Sequence, residues 1–282
     1  MKEDVIRKKV REGYAKIAVS QASCCASSKA DLTNKKIGYT EKELRSVPEG
    51  ANMNLGCGNP VALASLKGGE TVVDLGSGGG YDCFLAANRV GKNGRVIGVD
   101  MTPEMLDKAR ENARKGRYEN VEFRLGEIEN LPVADNTADV IISNCVINLA
   151  PNKKRVFEEA FRVLKLGGRL MVSDIVLLKE LPEAVKKKTH PASCVQGAIL
   201  KDKYIDMIRQ AGFQEVKIVK SKQHGLEDVE DDPDAEVIVF NPEKNTHEVK
   251  SVSELDERAK ETLRDTLIAT MSVNFLAIKP SE

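Results

Sequence analysis

Thr71-Val-Val-Asp-Leu-Gly-Ser-Gly-Gly-Gly-Tyr81 decides the fold. A short β-branched run ends on an acid, a glycine-rich turn follows, and the apolar periodicity from Tyr81 to Val90 predicts a helix. This is the opening of a βαβ unit. Glycines in such a turn let the backbone approach a ligand, and the helix beyond offers free N–H groups at its N-terminus. The spacing of Gly76, Gly78 and Gly79 departs from the G-x-G-x-x-G dinucleotide fingerprint, although Asp100 does end the next strand. Asp74, at the tip of the first strand, favours a cationic ligand, because a buried carboxylate would repel a pyrophosphate.

The same grammar continues outward. Arg95 to Asp100 reads as a second strand, and Thr102-Pro103-Glu104 supplies a cap, a proline at the first helical position and an acidic first turn for a helix to about Lys115. Strands follow at Val121 to Leu125 and Asp139 to Ser143. A helix from Lys153 to Lys165, closed by Gly167-Gly168, then precedes a fifth strand from Arg169 to Leu177. Beyond the Lys-rich stretch Lys186 to Lys188 come a helix from Lys201 to Ala211, a terminating Gly212 and a strand from Glu215 to Val219. Residues 227–236 hold seven acids and read as a solvated loop. An amphipathic helix from Ser253 to Thr270 follows, and either Val273 to Lys279 or Glu236 to Phe240 supplies the last strand.

Towards the N-terminus, Val5, Ile6, Val10, Tyr14, Ile17 and Ala18 recur at helical spacing, whereas Gln21 to Asn59 is loop-rich with one helical candidate, Thr40 to Arg45. The alternation predicts a doubly wound α/β fold, a mostly parallel seven-stranded sheet with helices on both faces. Residues 1–59 form an N-terminal helix and cysteine-bearing cap, 60–180 the ligand-binding core, 181–225 a segment completing the sheet, and 226–282 an extended C-terminal region.

With 282 residues and 41% hydrophobic content the chain buries a substantial core in one or two domains. Its 43 basic and 43 acidic residues cancel, and there is no Trp and only 4% aromatic content, so nucleic acid is not an expected partner. No apolar run is long enough to cross a bilayer, and the mixed-charge start leads into none, which predicts a cytoplasmic protein without a membrane partner. Oligomeric state is left open.

Six cysteines in such a chain predict reduced thiols in preference to a disulfide framework. Cys145, in Ser143-Asn-Cys-Val-Ile-Asn-Leu149, follows the fourth strand at the carboxyl edge of the sheet, where open α/β folds bind ligands. Cys194, in His190-Pro-Ala-Ser-Cys-Val-Gln-Gly197, lies in a segment placed to fold back over that edge. Cys57, in Leu55-Gly-Cys-Gly-Asn-Pro60, has glycines on both sides that permit close backbone approach. Paired C-x₂₋₄-C spacing, the mark of zinc sites, is absent, and no bound metal cofactor is expected. Thiolates converging from separate loops make a soft site, and trivalent arsenic, which takes three thiolates and keeps a lone pair, fits it. Cys83, on an apolar face with Phe84 and Ala87, reads as core, and His190, in a loop before Pro191, as structural or solvent-exposed and not catalytic.

Asp74 to Gly80 together with Asp100 resembles the S-adenosylmethionine-dependent methyltransferases of the class I, Rossmann-like type. That resemblance implies that Asp74, Gly76, Ser77, Gly78 and Gly79 bound the amino acid moiety of the cofactor. It implies further that Asp100 and Met101 serve the ribose, that Glu127 and Ile128 hold adenine, and that Asn144 joins them. Adding Leu55 to Pro60, Gly98-Val-Asp-Met-Thr102, Ser143 to Leu149 and Cys194-Val-Gln-Gly-Ala198, the chain resembles arsenite methyltransferases over roughly residues 5 to 220.

The resemblance implies that Cys145 and Cys194 are the main arsenic ligands and Cys57 the third ligand and redox partner. Cys25 or Cys24 would be an additional thiol, although an adjacent pair departs from the single N-terminal cysteine of many relatives. The implied reaction methylates arsenite delivered as a thiol conjugate, the arsenic lone pair attacking in line without a general base. The thiols would finish as a disulfide between Cys57 and Cys145 or Cys194, which thioredoxin or glutathione resets. Two alternatives stand beside it: a methyltransferase of a small organic acceptor, and a non-catalytic thiol-based arsenic- or metal-binding protein.

Overall fold

Val72, Val73, Val96, Ile97, Val140, Ile141 and Ile142 are all at 0% exposure, the near-continuous apolar pattern of parallel strands covered on both faces. A computed structural model describes residues 3–19, 38–53, 55–56, 58–181, 193–223, 236–241, 246–251, 254–255 and 257–282. Its strands are β1 (Thr71–Leu75), β2 (Arg95–Asp100), β3 (Val121–Leu125), β4 (Ala138–Asn144), β5 (Leu164–Leu177), β6 (Gln214–Gln223), β7 (Glu236–Asn241), β8 (Thr246–Ser251) and β9 (Thr270–Ile278). Seven form one sheet in the order β3-β2-β1-β4-β5-β9-β6, with β9 antiparallel to both neighbours and the pairs from β3 to β5 parallel. The mostly parallel seven-stranded sheet is as expected. Among the described residues, β7 and β8 pair only with each other, as antiparallel strands.

The helices are α1 (Glu3–Val19), α2 (Glu41–Arg45), α3 (Pro60–Leu63), α4 (Tyr81–Val90), α5 (Pro103–Gly116), α6 (Lys153–Val163), α7 (Cys194–Gly197), α8 (Lys201–Gln210) and α9 (Glu257–Ala269). Strand alternation splits the core into two layers. Val72, Val96, Val140 and Ile142 meet Phe84 and Ala87 of α4 and Leu106 and Ala109 of α5. Val73, Ile97 and Ile141 meet Phe157 of α6 and Tyr204 of α8 on the opposite face.

Three expectations need correction. α6 ends at Val163, not Lys165, and β5 begins at Leu164, because Leu164 pairs with Ala138 while the Lys165 ammonium reaches the Asp139 carboxylate at 2.8 and 2.9 Å. Gly167-Gly168 therefore lies inside the strand, bonded to the chain around Lys279 and not closing a helix. Both candidates for the last strand are strands, but only Thr270–Ile278 joins the main sheet. Of the stripe on α1, Val10 is buried while Val5 and Ile17 remain exposed. Cys24, Cys25, Cys57, the stretch Lys186 to Lys188, His190 and the acidic loop up to residue 235 lie outside the described residues. Among the described residues no helix is long and apolar enough to cross a membrane.

Candidate functional site

The carboxyl ends of β1, β2 and β4 open into a cleft roofed by Arg7, Val10 and Tyr14 of α1. The glycine-rich turn is fastened to β2, since the N–H groups of Gly76 and Ser77 both donate to the Val99 carbonyl, at 2.8 and 3.0 Å. Gly76 is required on two counts: its φ is +71°, and a Cβ there would lie 2.4 Å from Val146 Cγ2. Gly78, at φ +51°, has nothing within 4 Å of where a Cβ would stand, so the turn leaves open space facing the cleft. Asp100 accepts from Gly78 N at 3.0 Å and from Thr102 N at 2.8 Å. Burial raises its pKa, against those backbone hydrogen bonds.

Two further carboxylates lie deeper. Asp74, 2% exposed, accepts from the Cys83 thiol at 3.2 Å; burial first, and then the charge of Asp82, push it well above the usual carboxylate range. Asp82 accepts from Tyr39 Oη at 2.7 Å and from Asn144 Nδ2 at 2.9 Å, and burial pushes it up to about 6. No lysine or arginine among the described residues pairs with either. Two buried acids that no described lysine or arginine pairs with, beside a turn with open space, fit a ligand with an ammonium and a sulfonium. The Ser77 hydroxyl is also buried there without a hydrogen-bond partner among the described residues.

The thiols gather at the neighbouring edge. Cys145 lines the cleft, 5% exposed, at φ +58°, with its N–H on the Ser173 carbonyl at 2.8 Å. It is disulfide-bonded, and neither Cys83 nor Cys194 is its partner, both being free. Cys194, the first residue of α7, donates its thiol to the Cys145 carbonyl at 2.9 Å. Burial, with Asp174 nearby, pushes that thiol up to about 12, against the opposing charge of Lys153.

The glycines flanking Cys57 do approach closely. A Cβ on Gly56 would lie 2.6 Å from Asn144 Nδ2, and one on Gly58 would lie 2.8 Å from Ser173 Cβ. Asn144 Nδ2 also donates to the Gly58 carbonyl at 2.9 Å. Cys83 is buried in the core as expected, with its thiol donated to Asp74.

Of the expected cofactor contacts, Asp74, Gly76, Ser77, Gly78, Gly79, Asp100, Met101, Ile128 and Asn144 line the cleft. Glu127 does not: it pairs with Arg7 at 3.4 Å, and Gly126 and Glu129 line the wall in its place. Sequence reasoning missed Tyr39, Asp82, Tyr14 and Arg7. The only signal for Tyr14 is its place on the apolar stripe of α1; burial holds its phenol above the usual range.

A family model described as a methyltransferase domain matches residues 66–212. The chain is 49% identical over 227 residues to an arsenite methyltransferase of Halobacterium salinarum, covering 75% of this chain and 58% of that protein. It is 34% identical over 227 residues to an arsenite methyltransferase of Aquipseudomonas alcaligenes, covering 78% of this chain and 65% of that protein. The chain thus spans about three fifths of the length of the curated relatives it matches. A crystal structure of an arsenic(III) S-adenosylmethionine methyltransferase from Chlamydomonas reinhardtii superposes with a TM-score of 0.62 at 29% identity, covering 88% of this chain and 74% of that one.

Proposed function

We propose that this chain, which belongs to the family of methyltransferase domains, transfers the methyl group of S-adenosylmethionine to trivalent arsenic held on cysteine thiols. One juxtaposition carries the reading: Cys145 lines the cleft that fits the cofactor, and the Cys194 thiol rests on the Cys145 carbonyl at 2.9 Å. The likeness to arsenite methyltransferases supports the choice of acceptor.

S-Adenosylmethionine, when bound, supplies an electrophilic methyl carbon on a cationic sulfur. Asp74 and Asp82 balance its positive charges, the turn from Gly76 to Gly79 gives the backbone close approach, and Asp100 takes the ribose hydroxyls beside Met101 and Ile128. Cys145, Cys194 and Cys57 hold arsenic delivered as a thiol conjugate. Each exchange forms an As–S bond while the displaced hydroxyl or thiolate leaves with the cysteine proton, so a thiol pushed up to about 12 is no obstacle. The arsenic lone pair remains as the nucleophile, no proton has to be removed, and holding it at the cleft contributes several kcal/mol through proximity.

Methylation takes arsenic formally to the pentavalent state. Two thiolates that return two electrons finish as a disulfide, and Cys145 is disulfide-bonded in this structure. Thioredoxin or glutathione, in a reducing cytoplasm, would then supply two electrons and two protons to reset the pair.

The test is incubation of purified protein with methyl-labelled S-adenosylmethionine, glutathione and arsenite, followed by chromatography of the arsenic species. Wild type is expected to give methylarsenicals. Cys145→Ser and Cys194→Ser are each expected to fall about 100-fold or more, a loss of ~3 kcal/mol in transition-state stabilisation, while still binding the cofactor. Methylation at the wild-type rate by Cys145→Ser would overturn the assignment.

A further inference from the structure

The Cys194 thiol has no covalent tie to Cys145, so the separation of the two sulfurs depends on how α7 docks. It docks on the short 3₁₀ turn Ile147–Leu149 that follows Cys145. Gly197 closes α7 so near that turn that a Cβ on it would lie 1.8 Å from the Asn148 carbonyl oxygen and 2.8 Å from the carbonyl carbon. The obstacle is backbone and cannot swing aside as a side chain would.

Asn148 itself is fixed. It is 3% exposed; its Nδ2 donates to Asp174 Oδ1 at 2.8 Å and to the Ile175 carbonyl at 2.6 Å, and its own carbonyl accepts from Lys153 Nζ at 3.1 Å. Cys194 and Gly197 stand three residues apart on one helical turn, so a displacement of one carries the other with it.

We propose that the Asn148 carbonyl, on which Gly197 closes without room for a side chain, is the seat that sets the Cys194 thiol against Cys145. Asn148 and Gly197 are then positioning residues of the thiol pair, and Lys153 steadies the seat. The assignment rests on the arsenic-methylating reading only in taking this pair as the substrate's ligands. The geometric claim has its own readout.

Fully reduced full-length protein is treated with dibromobimane, which bridges thiols a few ångströms apart, and the Cys145–Cys194 bridge is quantified by peptide mapping. Gly197→Ala is expected to lower its yield about tenfold and kcat/KM for arsenite about 100-fold, the scale of an ångström's misplacement, with S-adenosylmethionine affinity within about twofold of wild type. A variant that bridges and methylates as wild type does overturns the seat. Should Gly197→Ala fail to bind the cofactor, Lys153→Met decides, because it removes the ammonium from the Asn148 carbonyl without adding bulk; its bridging is scored against single alkylation of Cys194 by monobromobimane, since the lost charge also raises the Cys194 thiol. About a threefold loss of bridging is expected there, and none overturns the proposal. If wild type methylates no arsenic yet bridging depends on Gly197, the functional reading falls and the seat stands. If methylation depends on Cys194 but bridging ignores Gly197, the seat falls alone.

Discussion

Asp82 governs how the cleft responds to a cation. Burial holds its carboxyl at about 6, up from 3.8, despite hydrogen bonds from Asn144 and Tyr39 that favour the charged form. In the empty protein the folded state therefore binds this proton more tightly than the unfolded chain. Its contribution to stability is fully present below 3.8 and is lost as pH rises to about 6. A bound cation prefers the carboxylate and reverses the slope. S-Adenosylmethionine affinity is expected to climb up to about tenfold per pH unit below 6, with the neighbouring Asp74 carboxyl, itself held well above the usual range, extending the rise. Asp82→Asn should flatten that profile and weaken binding at high pH about tenfold. Calorimetric titration across the range checks this, and identical profiles in the two proteins would sink the role. Cys145 and Cys194 are legible in the sequence because each follows a strand with its own motif. Asp82 reads only as an acid in the first turn of a helix; its partners Tyr39 and Asn144 stand 43 and 62 residues away, and no local pattern announces that it is buried.

Among the elements, α1 turns a sheet edge into a roofed cleft. Val10 and Tyr14 line the cleft from above, and Arg7 clasps the buried Glu129 at 3.1 Å and Glu127 at 3.4 Å on the loop after β3. Removing the guanidinium leaves a buried carboxylate that keeps, among the described residues, a long contact from Asn152 N, at 3.5 Å. Arg7→Ala is expected to cost about 1–3 kcal/mol in chemical denaturation. It should weaken cofactor binding several-fold through the loosened roof while leaving the Cys145–Cys194 bridge intact. Unchanged stability and affinity would show that α1 merely rests on the surface. The amphipathic stripe announces this helix, but which part of the stripe is covered depends on the sheet edge it meets. For the same reason the boundary between α6 and β5 is misread: helical periodicity runs on to Lys165, whereas pairing of Leu164 with Ala138 ends the helix at Val163.

At the scale of the molecule, the sheet is completed by a strand that arrives last. β9 inserts between β5 and β6, antiparallel to both, and buries Val273, Phe275 and Ala277; the Phe275 ring stacks on Tyr204 at 5.0 Å. Lys279, just beyond, donates to the Leu164 and Phe161 carbonyls at 2.7 and 2.8 Å and so caps the end of α6. β-Branched runs and turn residues announce the strands, but neither propensity nor periodicity says which of two strands fills a gap between non-consecutive neighbours. That is why Glu236–Asn241 and Thr270–Ile278 look interchangeable in the sequence and differ in the fold. Among the described residues, the β7–β8 pair bonds to no strand of the main sheet, so the two segments are expected to respond oppositely to removal. Replacing residues 226–252 with a short Gly/Ser linker should leave Tm within about 5 °C and methylation unchanged, since loop length itself has only a weak entropic effect. Ending the chain at Ile268 should abolish cooperative unfolding, because it strips the Phe275 layer from the core and leaves β5 and β6 with unpaired edges. Thermal scans of both variants decide the matter: cooperative melting of the shortened chain, or collapse of the linker variant, would place the stabilising role on the β7–β8 pair in place of β9.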